Sequence, residues 1–283
     1  MNYKTFIDIT TDELTGLYSK AEAKAIAVNL LSCHLRIPNY KYLSEPQTLI
    51  PSAKLSELQD AVSQLVKSRP LQYVLGYTIF AGNKIKVGEG VLIPRPETEE
   101  LFNLIVEECS DIELEDDEFN ILDACTGSGC LAYSLAAEFP RAQVYGCDIS
   151  NDALKIACKQ KVRLDGGRPV LFRADILCPP PAGLPQFDMI VSNPPYVLEK
   201  EKIMMHSNVL DYEPHQALFV PDDDPLKFYK ALREWTSVLL KTGGRCYFEI
   251  NEVYGPEVAA LFPGSSVIRD INGKDRFVRY EKR

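Results

Sequence analysis

From residue 119 onward the sequence alternates short apolar runs with helix-like stretches, and nothing else in it limits the possible folds so sharply. Ile121-Leu122-Asp123-Ala124 reads as a strand, Gly127-Ser128-Gly129 as a turn and residues 131–137 as a helix. Residues 144–148 make a second strand, 151–162 a second helix, and 170–174 a third strand ending at Asp175. A fourth strand, 187–192, runs into Asn193-Pro194-Pro195-Tyr196. Helix 228–240, strand 245–250, helix 253–262 and two strand-like runs, 267–270 and 276–280, close the chain. Such alternation predicts a parallel sheet with helices on both faces, and ligands at the carboxyl ends of its strands.

Every candidate polar residue falls at one of those ends: Asp123, the Gly127/Gly129 turn, Asp148, Asp175 and Asn193. Glycines let the backbone approach a ligand, and the helix start behind them supplies free N–H groups. An acid at the end of the next strand, Asp148, suits both hydroxyls of a ribose. Asp175 is placed to reach an adenine. Gly127-Ser128-Gly129-Cys130-Leu131-Ala132 also fits the dinucleotide fingerprint, which makes a dehydrogenase a competing reading. The fourth strand separates the two. Hydride transfer needs an acid or base there, usually His, Lys or Tyr with a partner. Asn193-Pro194-Pro195-Tyr196 offers instead a stiff corner with an amide, bare carbonyls and an aromatic face. That set suits a planar NH2 group, and hence methyl transfer from S-adenosylmethionine to a planar nitrogen.

The first 69 residues read as helical, with no internal repeat: a helix start at Thr10-Thr11-Asp12-Glu13-Leu14, an Ala- and Leu-rich stretch at 21–31 and an apolar stripe at 56–66. His34 has no ligand partner at metal spacing, and no metal is expected. Tyr77-Thr78-Ile79-Phe80 and Lys84-Ile85-Lys86-Val87 flank Ala81-Gly82-Asn83, a hairpin signal. Ile93-Pro94-Arg95-Pro96 is extended, and Glu97 to Glu100 open a helix with acids at its positive end. Residues 107–118 read as an acidic, solvated connector. The domains expected are 1–72 (helical, substrate-docking), 73–92 (hairpin linker) and 93–283 (the α/β domain).

A net charge of −9 over 283 residues argues against a protein that wraps a nucleic-acid backbone. The eight cysteines contain no C-x-x-C pair, so reduced thiols and a cytoplasmic location are expected. No signal peptide is recognisable at the start, and no apolar run approaches the ~18 residues of a membrane span.

Together, Asp123-x-x-x-Gly127-x-Gly129, Asp148, Asp175 and Asn193-Pro194-Pro195-Tyr196 resemble the amino-methyltransferase class of S-adenosylmethionine enzymes. Three more segments are similar to the protein-(glutamine-N5) methyltransferases of peptide chain release factors (HemK/PrmC-like). They are Pro70-Leu71-Gln72-Tyr73-Val74-Leu75-Gly76, Ile93-Pro94-Arg95-Pro96-Glu97-Thr98-Glu99 and Tyr212-Glu213-Pro214-x-x-Ala217-Leu218. The resemblance covers nearly the whole chain and implies an α/β, Rossmann-like methyltransferase domain behind a small all-helical domain and a hairpin linker.

It further implies that the glutamine of a Gly-Gly-Gln loop enters at Asn193. Its NH2 donates to the Asn193 side chain and the Pro194 carbonyl, with Pro195 and Tyr196 completing the corner and Arg95 and Glu97 touching the substrate. Cys125, Thr126, Gly127, Ser128 and Gly129 would hold the methionine part of the cofactor with Asp123; Asp148 would hold the ribose; Asp175 and Ile176 would border the adenine. The chain departs from the family where Cys125 replaces a usual glycine and where Phe219-Val220-Pro221-Asp222-Asp223-Asp224-Pro225 replaces a glycine-rich stretch. Positioning is the main catalytic effect expected, with no strong base; His206 and His215 read as surface residues, and Glu213 as ordering its loop. The rivals are an adenine-N6 methyltransferase, a ribosomal-protein glutamine methyltransferase and a non-enzymatic cofactor-fold module.

Overall fold

The computed structural model describes residues 1–109 and 119–283, so most of the acidic connector lies outside the described residues. The chain forms two compact units, residues 1–76 with 206–212, and residues 77–205 with 213–283.

The first unit packs α1 (Tyr3–Leu14), α2 (Lys20–Leu35), α3 (Lys41–Ser44), α4 (Ser52–Val66) and α5 (Leu71–Leu75). Its core joins Phe6, Ile7, Leu14, Leu30, Leu31, Leu58 and Leu65, the apolar stripes of the three long helices. Thr10-Thr11-Asp12 is the end of α1, not a helix start. The cap is Asn2, whose Oδ1 accepts the Thr5 N–H at 2.8 Å. Thr11 is buried in the helix because its hydroxyl donates back to the Ile7 carbonyl at 2.7 Å, so the cap-like Thr-Thr-Asp run misleads.

The second unit begins with the hairpin of β1 (Tyr77–Phe80) and β2 (Asn83–Lys86). Ala81 and Gly82 both have positive φ, 47° and 70°, the turn geometry that matches strand twist. After α6 (Pro96–Cys109) come β3 (Asn120–Ala124), α7 (Cys130–Glu138), β4 (Gln143–Asp148), α8 (Asn151–Ala157), β5 (Val170–Arg173) and β6 (Phe187–Ser192). Short strands β7 (Val197–Leu198) and β8 (Phe219–Val220) pair in parallel. Between them α9 (Ser207–Leu210) belongs to the first unit, where the Tyr212 hydroxyl donates to the Lys67 carbonyl at 2.7 Å. The chain ends with α10 (Lys227–Leu239), β9 (Leu240–Glu249), α11 (Gly255–Leu261), β10 (Ser266–Arg269) and β11 (Asp275–Glu281).

Seven strands form one sheet in the order β10-β11-β9-β6-β3-β4-β5. The five from β9 to β5 are parallel, and β11 and β10 add antiparallel to one edge. Central strands β3 and β6 are almost wholly buried, which is why they read as continuous apolar runs. One face of α10 (Tyr229, Leu232, Trp235, Leu239) packs with Leu122, Phe187, Ile190 and Phe248.

Two boundaries differ from the sequence reading. The second helix stops at Ala157 because Gln160 turns inward, accepting from the Lys86 N–H and donating to the carbonyls of Lys86 and Ser128. The strand expected at 245–250 starts earlier, at Leu240. Leu240 pairs with Phe187, and Gly243 and Gly244 exchange backbone hydrogen bonds with Lys282.

Candidate active site

The chain continues from β3 to β4 and β5 on one side of the sheet and from β6 to β9 on the other, so the order reverses between β3 and β6. A crevice opens at the carboxyl ends there. The register pairs Ala124 with Ser192, and the Ser192 hydroxyl donates to the Ala124 carbonyl at 2.7 Å. The glycine turn and the Asn193 corner therefore leave the sheet side by side. Both open on one cavity of about 340 Å³.

Of the residues singled out from sequence, Asp123, Cys125, Thr126, Gly127 and Ser128 line this cavity, as do Asp148, Asp175 and Ile176. Asn193 and Pro195 line it from the other side. Gly129, Pro194, Tyr196, Arg95 and Glu97 are not on its wall. The turn is made by three residues of positive φ: Cys125 at 63°, Gly127 at 54° and Gly129 at 82°. Cys125 takes up a left-handed conformation that glycine adopts without cost. A Cβ on Gly129 would lie 3.1 Å from the Tyr133 ring, so its role is the close packing of α7.

Asp123 is fully buried at the base of the turn. One oxygen accepts from the Thr126 hydroxyl and from the Ala132 N–H at 3.1 Å; the other, Oδ1, has no hydrogen-bond partner among the described residues. Burial pushes its carboxyl up to about 7, with the charge of Asp148 adding to the rise and the two hydrogen bonds opposing it. Asp148 accepts from the Gly127 N–H at 2.9 Å and the Ser150 N–H at 2.8 Å, one bond on each oxygen. Burial raises its carboxyl too. Each oxygen keeps a lone pair for a hydroxyl. Asp175 accepts from the Leu177 N–H, and Ile176 is buried beside it.

These groups decide between the two cofactor chemistries. The N–H groups of Gly127 and Ala132, which a pyrophosphate would need, are already spent on carboxylates. The wall carries Asp123, Asp148 and Asp175, a field that repels a dianion and attracts a cation. S-adenosylmethionine carries an ammonium and a sulfonium. The orphaned, buried Asp123 Oδ1 is the acceptor such an ammonium requires.

Across the cavity, the Asn193 Nδ2 donates to the Thr98 hydroxyl at 2.9 Å. Thr98 in turn donates to Glu249 Oε2 at 2.7 Å, and Tyr196 donates to Glu249 Oε1 at 2.8 Å. Glu249 is fully buried, which raises its carboxyl against the pull of Thr98, Tyr196 and Arg276. Tyr196 thus anchors the corner from behind, its backbone carbonyl also held by Asn251. Pro194 is buried and its carbonyl accepts no hydrogen bond among the described residues.

The extended Ile93-Pro94-Arg95 segment is pinned by Glu213. This buried carboxylate accepts the Ile93 N–H at 3.0 Å and the Arg95 guanidinium at 2.7 Å. The pair sets two stretches of wall in place, through Pro94 and Pro214. Phe219 lines the cavity while β8 is tied to β7, so the 219–225 departure contributes a paired strand at the wall. His215 stacks edge-on against Phe219 and is not on the wall. Sequence reading missed Thr98, Cys130, Cys147, Gln216, Lys227 and Phe228 as wall residues. Thr98 carried a signal, its place in the Pro-Arg-Pro-Glu-Thr-Glu segment; the others are ordinary residues of helices and strands.

A model of the methyltransferase small domain matches residues 104–212, and one of the PrmC N-terminal domain matches residues 10–76. Release factor glutamine methyltransferase of Bacteroides thetaiotaomicron is 41% identical over 270 residues, 94% of this chain and 95% of that protein. The protein of that name in Flavobacterium psychrophilum is 37% identical over 98% of this chain and 97% of its own length. That of Bacillus cereus is 33% identical over 89% and 90%. With identity of this order running through both the helical unit and the site-bearing sheet, the chain belongs to the release factor glutamine methyltransferase family.

Proposed function

We propose that the protein transfers a methyl group from S-adenosylmethionine to the side-chain nitrogen, N5, of the glutamine in the Gly-Gly-Gln loop of a peptide chain release factor. The observation that carries the reading is the single cavity that joins an anionic, orphaned Asp123 to the amide of Asn193. Family membership supplies the substrate.

Asp123, with the turn from Cys125 to Gly129, holds the methionine part of the cofactor. Asp148 holds the ribose, and Asp175 and Ile176 border the adenine. The bound cofactor supplies an electrophilic methyl. A carboxamide nitrogen is a poor nucleophile because its lone pair is delocalised. Asn193 Oδ1 and the Pro194 carbonyl accept the two N–H protons of the glutamine, which fixes the nitrogen and favours the positive charge that develops on it. Neither role requires a strong base. Arg95 acts through Glu213, shaping the wall against which the substrate loop rests. Residues 1–72 dock the substrate protein. No described helix is long and apolar enough to cross a membrane. Eight free thiols support action in the cytoplasm.

The test is incubation with methyl-labelled S-adenosylmethionine and a purified release factor, with DNA and RNA as parallel substrates. Label on the Gly-Gly-Gln glutamine, located by peptide mass spectrometry, is expected. Label on nucleic acid alone would overturn the reading.

A further inference from the structure

We infer that Thr98 and Glu249 are positioning residues that fix which end of the Asn193 amide meets the substrate. The inference rests on the proposed role of Asn193 as an acceptor for the glutamine NH2.

An asparagine amide turned by 180° occupies the same space but exchanges an acceptor for a donor. Nothing in the Asn193 corner itself chooses between the two. The choice is made further along a chain of hydrogen bonds. Glu249 is a carboxylate at the end of β9, fully buried, with one oxygen taken by the Tyr196 hydroxyl and the other by Thr98. A carboxylate only accepts, so the single proton of Thr98 points at Glu249. The Thr98 oxygen then offers only lone pairs, and the group it receives at 2.9 Å from Asn193 must be the NH2. Oδ1 is left as the free end of the amide, and Asn193 and Thr98 both lie on the cavity wall. Polarity is thus passed from a buried charge to the reacting site through one hydroxyl.

The arrangement also joins distant stretches of chain. Thr98 sits in the first turns of α6, Asn193 follows β6 and Glu249 ends β9, 95 and 151 residues from Thr98 along the sequence. Tyr229 and Asn251 add bonds to the Glu249 carbonyl and the Tyr196 carbonyl, so the acceptor cannot drift. A preset amide has no rotation to undergo as the nitrogen develops charge, and preorganised dipoles of this kind act on turnover more than on binding.

The experiment compares Thr98→Val, Thr98→Ser and Asn193→Ala in the full-length protein, measuring kcat and KM with a release factor, cofactor Kd and thermal midpoint. Thr98→Val keeps the shape and removes the hydroxyl. It is expected to lower kcat by ~10- to 100-fold, the range for a lost preorganising group, with KM, cofactor Kd and thermal midpoint nearly unchanged. Thr98→Ser restores most of the lost kcat. Thr98→Ala repeats the measurement with a smaller side chain if the valine variant does not fold. Wild-type kcat in Thr98→Val, alongside a large loss in Asn193→Ala, would overturn the relay and leave the role of Asn193 standing. Wild-type kcat in Asn193→Ala would remove the reading on which the relay rests. A Thr98→Val defect seen only in thermal midpoint would make the bonds structural and also overturn the inference.

Discussion

Asp123→Asn separates what the buried carboxylate costs the fold from what it gives the site. The carboxyl stands at about 7 in the folded protein against an ordinary value of 3.8, chiefly through burial. Three pKa units correspond to on the order of 4 kcal/mol of folding free energy lost when the group ionises. The sign follows from the raised folded value: the contribution is present in acid and is lost as pH rises through about 7. Asparagine is isosteric, and its oxygen can accept from Thr126 and Ala132 as Asp123 Oδ2 does. Its NH2 then inherits the unpartnered position of Oδ1, which offsets roughly 1–3 kcal/mol of the gain. Without cofactor at pH 8 the variant should melt a few degrees higher than wild type, at about 2–4 °C per kcal/mol. The difference should close by pH 5, where both side chains are neutral. Cofactor affinity should move the other way, falling ~10- to 100-fold for loss of a charge-assisted bond worth about 1.5–3 kcal/mol. Differential scanning fluorimetry across pH and isothermal titration read the two effects. A variant that melts lower than wild type at pH 8, or binds S-adenosylmethionine equally well, would refute the assignment of the orphaned oxygen.

Two further variants probe neighbouring parts of the site. Asp148→Ala should raise the cofactor Kd while leaving kcat at saturating cofactor little changed, because its oxygens face hydroxyls and backbone N–H groups only; unchanged affinity in titration calorimetry would contradict the ribose assignment. Arg95→Ala leaves the buried Glu213 without its cation and should cost about 1–3 kcal/mol of stability, read in urea unfolding. Arg95→Lys should recover part of it, and a fully stable Arg95→Ala would show the pair to be dispensable.

The parallel sheet was legible because β3 and β6 are buried on both faces, and a strand covered on both faces leaves a continuous apolar run that stops at a polar residue. The same logic put Asp123, Asp148, Asp175 and Asn193 at strand ends, where the structure brings them to one cavity. Competition between glycine fingerprints could not be settled by spacing alone. It is settled by where the Gly127 and Ala132 N–H groups point, which depends on two carboxylates folding onto the turn. Tyr196 looked like a ring for the cavity, but its hydroxyl belongs to Glu249 and its ring packs into the core. Thr98 and Glu249 were illegible as a pair because their link to Asn193 exists only after three strands and a helix have assembled. The start of α1 was hidden for the opposite reason: a local cap pattern at Thr10-Thr11 was present, and the true cap at Asn2 lay outside it.

Methyl transfer by Asn193→Ala to a release factor, followed at saturating cofactor with cofactor affinity measured on the same sample, tests the central claim most directly. Turnover should fall about 10²-fold or more, as for removal of a preorganised hydrogen-bond acceptor, while S-adenosylmethionine binds as it does to wild type. Turnover near wild type would contradict the account.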